Sequence, residues 1–127
     1  MKKQIIQTDN APAPIGPYNQ AVKVKDTLYL SGQIPLVPQS MTLVEGDLKK
    51  ETQQVMENLE AVLAAANMTF ENVVKTSIFL DSMENFATVN EVYGRYFDYK
   101  TAPARETVEV SNLPKYVRVE ISMIAVD

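Results

Sequence analysis

Two stretches near the start of the chain alternate apolar and polar residues, the pattern of half-buried β-strands. They read AVKVK at 21–25 and TLYLSGQIP at 27–35, and Asp26 between them suits a tight turn. We therefore expect a β-hairpin. The preceding residues 10–21 hold three prolines and a glycine, which predicts an ordered but irregular approach, whereas residues 36–47 predict a loop.

The period of the pattern changes from two to about 3.6 after Asp47, which predicts an amphipathic helix. Asp47 is a candidate N-cap of this helix and Asn67 a candidate stop. Ser82 can cap a second helix, which follows a strand-like run at 72–80. We expect the aromatic stripe of the second helix to pack in the core. That stripe consists of Phe86, Val89, Tyr93, Tyr96 and Phe97.

RETVEV at 105–110 and YVRVEISMIAV at 116–126 predict two further strands, joined by a segment in which Pro114 cannot donate a ladder hydrogen bond. The predicted order β-β-α-β-α-β-β favours an α+β fold, one mixed sheet with both helices on one face. The last strand is apolar on both faces towards its end, at Ile124 and Val126. Two helices cannot cover both sides of such a sheet, so we expect a partner subunit on the second face.

The length of 127 residues indicates a single domain, 1–127, with its own core. Apolar residues make up 46% and charged residues 22%, as in ordinary globular proteins. The longest apolar run, AVLAAA at 61–66, is far too short to span a membrane, and no signal peptide develops. We expect a cytoplasmic protein without a membrane partner. Its net charge of -4 also makes a nucleic-acid partner unexpected.

The chain has no histidine and no cysteine. Zinc and copper sites built from imidazole and thiolate, Ser-His-Asp triads and thiolate nucleophiles are therefore excluded within the chain. The four glycines lie too far apart for a phosphate-binding loop, so we expect no nucleotide cofactor. Because imidazole and thiolate ligands are missing, we also expect no metal site. Any chemistry must use carboxylate, arginine, lysine, hydroxyl or backbone groups.

The alternation of the last two strands suggests one polar surface. If these strands pair antiparallel with their apolar sides together, Arg105 shares a face with Arg118, Glu120 and Ser122. Arginine offers paired donors to a carboxylate, and Glu120 could orient or deprotonate a water, so the two could bind an α-acid and hydrate it. The alternative is an ion pair between strands, worth about 0–1 kcal/mol if exposed, and residue types alone favour it.

Several further residues have both a structural and a functional interpretation. Tyr18 could donate its hydroxyl to a ligand or pack against the first hairpin. Ser31 and Gly32 could bring the backbone close to a ligand, or the glycine could mark a bulge. Asn90 could be a buried amide or a polar anchor in a pocket. Thr107, on the predicted face of the arginine, could contact a ligand or simply favour a strand.

Seven stretches of the chain, in order, resemble a known family. They are IGPYNQA, SGQIPLVP, VEGDLKKETQQVMENLEAVL, VVKTSIFL, NFATVNEVYGRYF, PARETVEV and LPKYVRVEISMIAV. They resemble the RidA-type members of the YjgF family, also called Rid proteins or reactive intermediate deaminases, over nearly the whole length. The resemblance implies a chorismate-mutase-like α+β fold, a mixed sheet with two helices packed on one face, in a homotrimer with three clefts between subunits.

The resemblance also implies an activity. RidA-type proteins hydrolyse reactive 2-enamine and 2-imine acids, such as 2-aminoacrylate, 2-iminopropanoate and 2-iminobutanoate, to 2-oxo acids and ammonia, and they need no cofactor. These substrates are released by pyridoxal-phosphate-dependent dehydratases that act on serine and threonine. Because the imine is already a strong electrophile, a protein without histidine or cysteine needs only to position it.

By its motifs, the resemblance assigns Arg105 of PAR to the substrate carboxylate and Glu120 of VEI to the attacking water. Tyr18 of GPY would line the cleft from a neighbouring subunit. The residues that would shape the pocket and meet the substrate through backbone or short polar groups are Ser31, Gly32, Asn90 and Thr107.

Three positions depart from the commonest pattern of the resembling family. Asn19 stands where serine or valine is frequent, Glu106 where serine is usual, and Thr107 where cysteine is often found. By alternation Glu106 faces away from Arg105, so it need not neutralise the guanidinium. Thr107 could alter side-chain preference while it keeps the backbone contact.

Two other functions compete with the deaminase. One is a trimer that binds small carboxylates and acts as a regulatory or chaperone-like partner; the presence of Arg105 favours the enzyme. The other is an RNA-cleaving translation inhibitor, a function also attached to the family. An acidic chain without histidine has neither the usual charge nor the usual general base for RNA cleavage.

Overall fold

The computed structural model describes all residues, 1–127. Six strands form one sheet in the order β1-β2-β3-β6-β4-β5, and two α-helices pack together on one face of it. The elements along the chain are β1 (Lys3–Ile6), β2 (Ala21–Val24), β3 (Thr27–Gln33), α1 (Leu48–Ala65), β4 (Val73–Leu80), α2 (Phe86–Gly94), β5 (Ala104–Glu109) and β6 (Val119–Val126). The predicted α+β class, a mixed sheet with both helices on one face, is confirmed.

Helix α1 begins and ends where the sequence predicts. The Asp47 side chain accepts hydrogen bonds from the backbone N–H groups of Lys49 and Lys50 at 3.1 and 3.3 Å, which caps the helix. Asn67 has a φ of +59°, the left-handed conformation that commonly follows a helix end. The fully buried apolar side chains of α1 are Val55, Met56, Leu59, Val62 and Leu63.

Helix α2 is shorter than the apolar pattern predicts. Ser82 caps a short 3₁₀ turn, and α2 begins only at Phe86 and ends at Gly94. Tyr96 and Phe97 lie beyond the helix, yet both pack against the core, so the aromatic stripe is largely core packing as expected. No helix of the chain combines the length and apolarity that crossing a membrane requires.

The β2–β3 hairpin forms as predicted, with Lys25 and Asp26 in its turn. The sequence did not predict β1, which pairs antiparallel with β2 and forms one edge of the sheet. Only Ile6 of its four residues is buried. The hydrophobic signal of β1 is therefore too weak to distinguish it from an extended terminus.

One buried side chain, Gln20, holds the irregular segment before β2. Its amide oxygen accepts a hydrogen bond from the backbone N–H of Thr8 at 2.8 Å. Its amide nitrogen donates to the carbonyl oxygens of Thr8, Ala11 and Pro12. Buried backbone groups without a partner are costly, so this amide fixes the path of the segment that carries Tyr18.

The predicted antiparallel pairing of the last two strands is wrong. β5 pairs in parallel with β4, and β4 separates it from β6. The segment β4-α2-β5 is a β-α-β crossover, in which the helix carries the chain back so that the second strand runs parallel to the first. The residues before β6 do not form a hairpin turn: Lys115 and Tyr116 each have a φ of +55°, within a short 3₁₀ turn.

The face of the sheet opposite the helices is exposed and partly apolar. Ile5, Tyr29 and Val108 lie on this face and are 42%, 51% and 41% exposed. Residues of β6 that point to the helices, such as Ile121, are completely buried. The open face is the one for which the sequence predicts a partner subunit.

Candidate active site

The guanidinium of Arg105 is held by helix α2. Its Nη1 donates a hydrogen bond of 2.7 Å to Asn90 Oδ1. Its central carbon lies 5.1 Å from the ring centroid of Tyr93 and 5.7 Å from that of Phe86. Cation–π contacts of this kind contribute about 0.5–1 kcal/mol at exposed sites. The helix therefore fixes the orientation of the guanidinium at the start of β5.

Tyr93 is fixed in turn by the sheet. Its hydroxyl forms a buried hydrogen bond of 3.0 Å with Thr76 Oγ1 on β4. Burial raises the pKa of Tyr93, although the Thr76 hydrogen bond and the charge of Arg105 oppose the shift. The phenol therefore stays neutral at physiological pH, and its ring faces the guanidinium.

Arg105 has no carboxylate partner within the chain. The ion pairs in residues 1–127 are Lys23–Asp127, Lys49–Glu91, Lys75–Glu106, Arg95–Glu91 and Arg118–Glu51. Within one chain, Arg105 thus does not form the strand-to-strand ion pair that residue types alone favoured. Its Nε and Nη2 have no hydrogen-bond acceptor in the chain and remain available to a ligand.

Glu120 lies against the backbone of β3 at Gly32. The pairing of β3 with β6 shifts between Leu30 and Gln33, so Gly32 sits in a bulge. A Cβ added at Gly32 would lie 2.9 Å from Glu120 Cδ and closer still to a carboxylate oxygen, so the carboxylate can occupy this position only beside a glycine. No cation in the chain pairs with Glu120, and burial raises its pKa above that of an ordinary glutamic acid.

Gly32→Ala should displace the Glu120 carboxylate towards water. The added methyl group overlaps the present position of the carboxylate, whereas the sheet holds both backbones. We expect the raised pKa of Glu120 to move back towards the usual glutamate value, as measured by a carboxyl ¹³C NMR titration. Gly94→Ala is the matched control, because a Cβ there meets no atom within 4 Å. An unchanged Glu120 pKa in Gly32→Ala would contradict this packing.

Ser31 joins the segment of Tyr18 to β3. Its Oγ donates a hydrogen bond of 2.6 Å to the carbonyl oxygen of Asn19. Tyr18 itself is 48% exposed. The segment before β2, together with β3 and β6, therefore forms one part of the molecule, which contains Tyr18, Ser31, Gly32 and Glu120.

Arg105 and Glu120 lie on opposite faces of the sheet, contrary to the alternation argument. Arg105 is in register with Thr76, which bonds to α2, whereas Glu120 alternates with Ile121, which is buried under the helices. The expected shared face required β5 to pair directly with β6, but β4 lies between the two strands. The predicted residues form two groups: Arg105, Asn90 and Thr107 beside α2, and Tyr18, Ser31, Gly32 and Glu120 around β3 and β6.

Arg118, which the alternation placed beside Arg105, instead pairs with α1. Its Nε donates to one carboxylate oxygen of buried Glu51 at 3.1 Å, and its Nη2 donates to the other. The hydrogen bonds to Glu51 are the largest cause of the raised pKa of Arg118. This bidentate pair connects the start of β6 to helix α1.

Glu106 and Thr107 on β5 have different environments. Glu106 lies on the face opposite Arg105, as predicted, and accepts hydrogen bonds from Lys75 Nζ at 2.8 Å and from Ser77 Oγ. These bonds, that from Lys75 first, lower the pKa of Glu106. Thr107 is on the face of Arg105, and its buried Oγ1 has no hydrogen-bond partner within the chain.

Sequence reasoning missed Phe86 and Tyr93 as partners of Arg105. It assigned both to core packing, which is correct for buried Tyr93 but incomplete. The available signal was spacing: Phe86, Asn90 and Tyr93 lie at positions i, i+4 and i+7 and therefore share one helix face.

Known proteins match this chain in sequence over nearly its whole length. The profile of a family described as Endoribonuclease L-PSP matches residues 8–127. A RutC family protein of Synechocystis sp. is 54% identical over 127 residues, which cover 99% of this chain and 98% of that protein. The 2-iminobutanoate/2-iminopropanoate deaminase of Mus musculus is 48% identical over 124 residues, 98% of this chain and 91% of that protein.

Two solved structures share the fold. RidA from the Antarctic bacterium Psychrobacter sp. PAMC 21119 has a TM-score of 0.93 and 44% identity, with 98% of this chain and 99% of that chain covered. E. coli TdcF with bound serine has a TM-score of 0.91 and 39% identity, with 98% of each chain covered. Sequence and fold together confirm the resemblance of the motifs, and the chain belongs to the Rid family, also called the YjgF/RutC family.

Proposed function

We propose that the chain is a deaminase that hydrolyses 2-imino and 2-enamino acids, such as 2-iminopropanoate and 2-iminobutanoate, to 2-oxo acids and ammonia. One observation carries the proposal: Arg105 is an oriented guanidinium without a carboxylate partner, and Glu120 is a half-buried carboxylate without a cation. Such groups suit a substrate that brings its own carboxylate and requires a base. The deaminase name of the mouse relative supports it.

The proposed site lies between the subunits of a homotrimer. Arg105 and Glu120 lie on opposite faces of the sheet in one chain, so one small substrate needs a second copy to contact both. The exposed apolar face and the free edge of β5 give that copy a surface to cover. One copy would contribute Arg105, Asn90 and Thr107. Its neighbour would contribute Tyr18, Ser31, Gly32 and Glu120.

In the proposed mechanism Arg105 binds the substrate carboxylate through Nε and Nη2, because Nη1 is already bonded to Asn90. Glu120 accepts a proton from a water molecule as the water oxygen bonds to C2 of the imine. Glu120 then returns this proton to the imine nitrogen, whose double bond to C2 becomes single. The resulting carbinolamine loses ammonia: the hydroxyl proton moves through Glu120 to the amino group, the C2–N bond breaks, and C2=O forms. The reaction consumes one water and requires no oxidant or cofactor.

Competition for a released imine tests this function. A dehydratase acting on serine or threonine supplies the imine, and semicarbazide traps it as a semicarbazone. We expect the protein to lower semicarbazone formation in proportion to its concentration, because hydrolysis removes the imine. Semicarbazone formation that is insensitive to the protein would refute the deaminase.

The rate of imine hydrolysis should fall in acid with a midpoint above the usual pKa of glutamic acid. Burial raises the pKa of Glu120, and only the ionised carboxylate accepts a proton from water, so activity is present above this pKa and lost below it. The measurement is kcat/KM against pH, corrected for uncatalysed hydrolysis. A rate that stays level through the ordinary glutamate range would contradict the role of Glu120.

A second candidate, binding of small carboxylates without turnover, is favoured by one finding. The related E. coli TdcF was solved with bound serine, an amino acid with the carboxylate that Arg105 would bind. The same competition assay separates the two functions. A binder would retain affinity for 2-oxo or amino acids and leave semicarbazone formation unchanged.

A further inference from the structure

A hollow of about 240 Å³ opens beside Arg105, on the helix side of the sheet. Its walls come from the end of α2 and the segment that leads to β5. Arg105 and Asn90 lie at the hollow, and its apolar or small lining includes Gly94, Phe97, Tyr99 and Pro103. This volume is below the roughly 300–1,000 Å³ of pockets for drug-sized ligands, so it suits one amino-acid side chain.

The charge of the hollow restricts its occupant. Arg105 is the only charged residue of its lining, and no acidic side chain lies there to neutralise it. The Nε and Nη2 of Arg105 are free of protein acceptors. The hollow therefore fits a molecule that has a carboxylate at one end and an apolar body next to it.

A 2-imino acid has this arrangement, because C2 carries both the carboxylate and the side chain. We propose that the hollow receives the substrate side chain and makes the protein prefer 2-imino acids whose apolar side chains are longer than ethyl. This inference rests on the proposed deaminase and names its substrate class.

Gly94 provides a direct test of the hollow. It is the last residue of α2, it lines the hollow, and a Cβ added there meets no atom within 4 Å. Its φ is not in the left-handed range, and glycine is a poor helix former, so backbone conformation does not oppose a larger residue there. Gly94→Leu should therefore fill the hollow in a folded protein. Gly94→Ala should fill it only slightly.

The experiment measures the binding of two 2-oxo acids, the products of the proposed reaction, by titration calorimetry. The ligands are pyruvate and 4-methyl-2-oxopentanoate, which carry the side chains of alanine and leucine. We expect the wild-type protein to bind the larger acid more tightly. In Gly94→Leu the ratio of the two affinities should fall by about tenfold or more, and in Gly94→Ala by less, since one methylene group in an apolar pocket already changes discrimination about 10–200-fold.

The matched control is Ala87→Leu, which adds the same side chain at an exposed position of α2 outside the hollow. It should leave the ratio unchanged. The inference is overturned if Gly94→Leu and the wild type show the same ratio, or if neither acid binds. A ratio that changes in a protein without imine hydrolysis would sustain the side-chain pocket and refute the deaminase, so the two failures are distinguishable.

Discussion

Arg105→Lys is expected to remain folded and to lose imine hydrolysis by about a hundredfold or more. Lysine keeps the positive charge but loses the planar fork that binds a carboxylate at two points and fixes its orientation. A substrate held less precisely loses most of its rate even when it still binds. The substitution also removes the hydrogen bond from the guanidinium to Asn90 and the contact of the guanidinium with the Tyr93 ring. The measurement pairs thermal melting with the semicarbazide competition assay.

Arg95 supplies the control for this substitution. It is an arginine just beyond α2, exposed and paired with Glu91 at 3.5 Å, so Arg95→Lys should alter neither melting nor hydrolysis. Arg105→Ala should hydrolyse imines still more slowly than Arg105→Lys and remain folded. Near-normal hydrolysis by Arg105→Ala would eliminate the carboxylate clamp. Loss of assembly together with activity would instead indicate a structural role.

Glu120→Gln is expected to lower kcat by about 10²–10⁴-fold, the range for removal of a positioned general base. Glutamine matches the size of the carboxylate beside Gly32 but cannot take a proton from water. KM should change much less, because in the proposed mechanism Arg105 binds the substrate carboxylate. Single-substrate kinetics with the dehydratase-generated imine separate the two constants.

Glu106→Gln is the matched control for the loss of a carboxylate. Glu106 lies on the same open face of the sheet, but it is exposed and bonded to Lys75 and Ser77. Its substitution should leave kcat close to that of the wild type. A Glu120→Gln protein with unchanged kcat, or an equal loss in both variants, would contradict the role of Glu120.

The elements that local patterns determine were predictable from the sequence. Helix α1 has a complete signature, with Asp47 as its cap and Asn67 as its stop, and both residues act as predicted. The β2–β3 hairpin needs only alternation and a turn residue. β1 was missed because a short edge strand with one buried residue carries little pattern.

Strand order was the main error, and it determined where the candidate site residues lie. Alternation shows which residues share a face of one strand, but not which strand is its neighbour. A β-α-β crossover rule applied to β4, α2 and β5 would have predicted the parallel pair. That pairing places Arg105 beside α2 and separates it from Glu120.

The geometry of the candidate site was only partly predictable. The motifs named Arg105 and Glu120, but contacts such as that of Glu120 with Gly32 depend on a bulge that joins distant parts of the chain. The stack of Arg105 on Tyr93 likewise needs the three-dimensional position of α2. Long-range register, rather than local propensity, decides these contacts.

Subunit complementation tests the central proposal, a site shared between two copies, most directly. Arg105→Ala and Glu120→Gln chains are each expected to be nearly inactive alone. When they are denatured together and refolded, random assembly into closed rings pairs an intact Arg105 with an intact Glu120 in about one quarter of the clefts. The mixture is therefore expected to regain up to about one quarter of the wild-type rate, whereas a mixture of Arg105→Ala and Arg105→Lys should regain none. A refolded mixed assembly that contains both variants and stays as inactive as either alone would contradict the shared site.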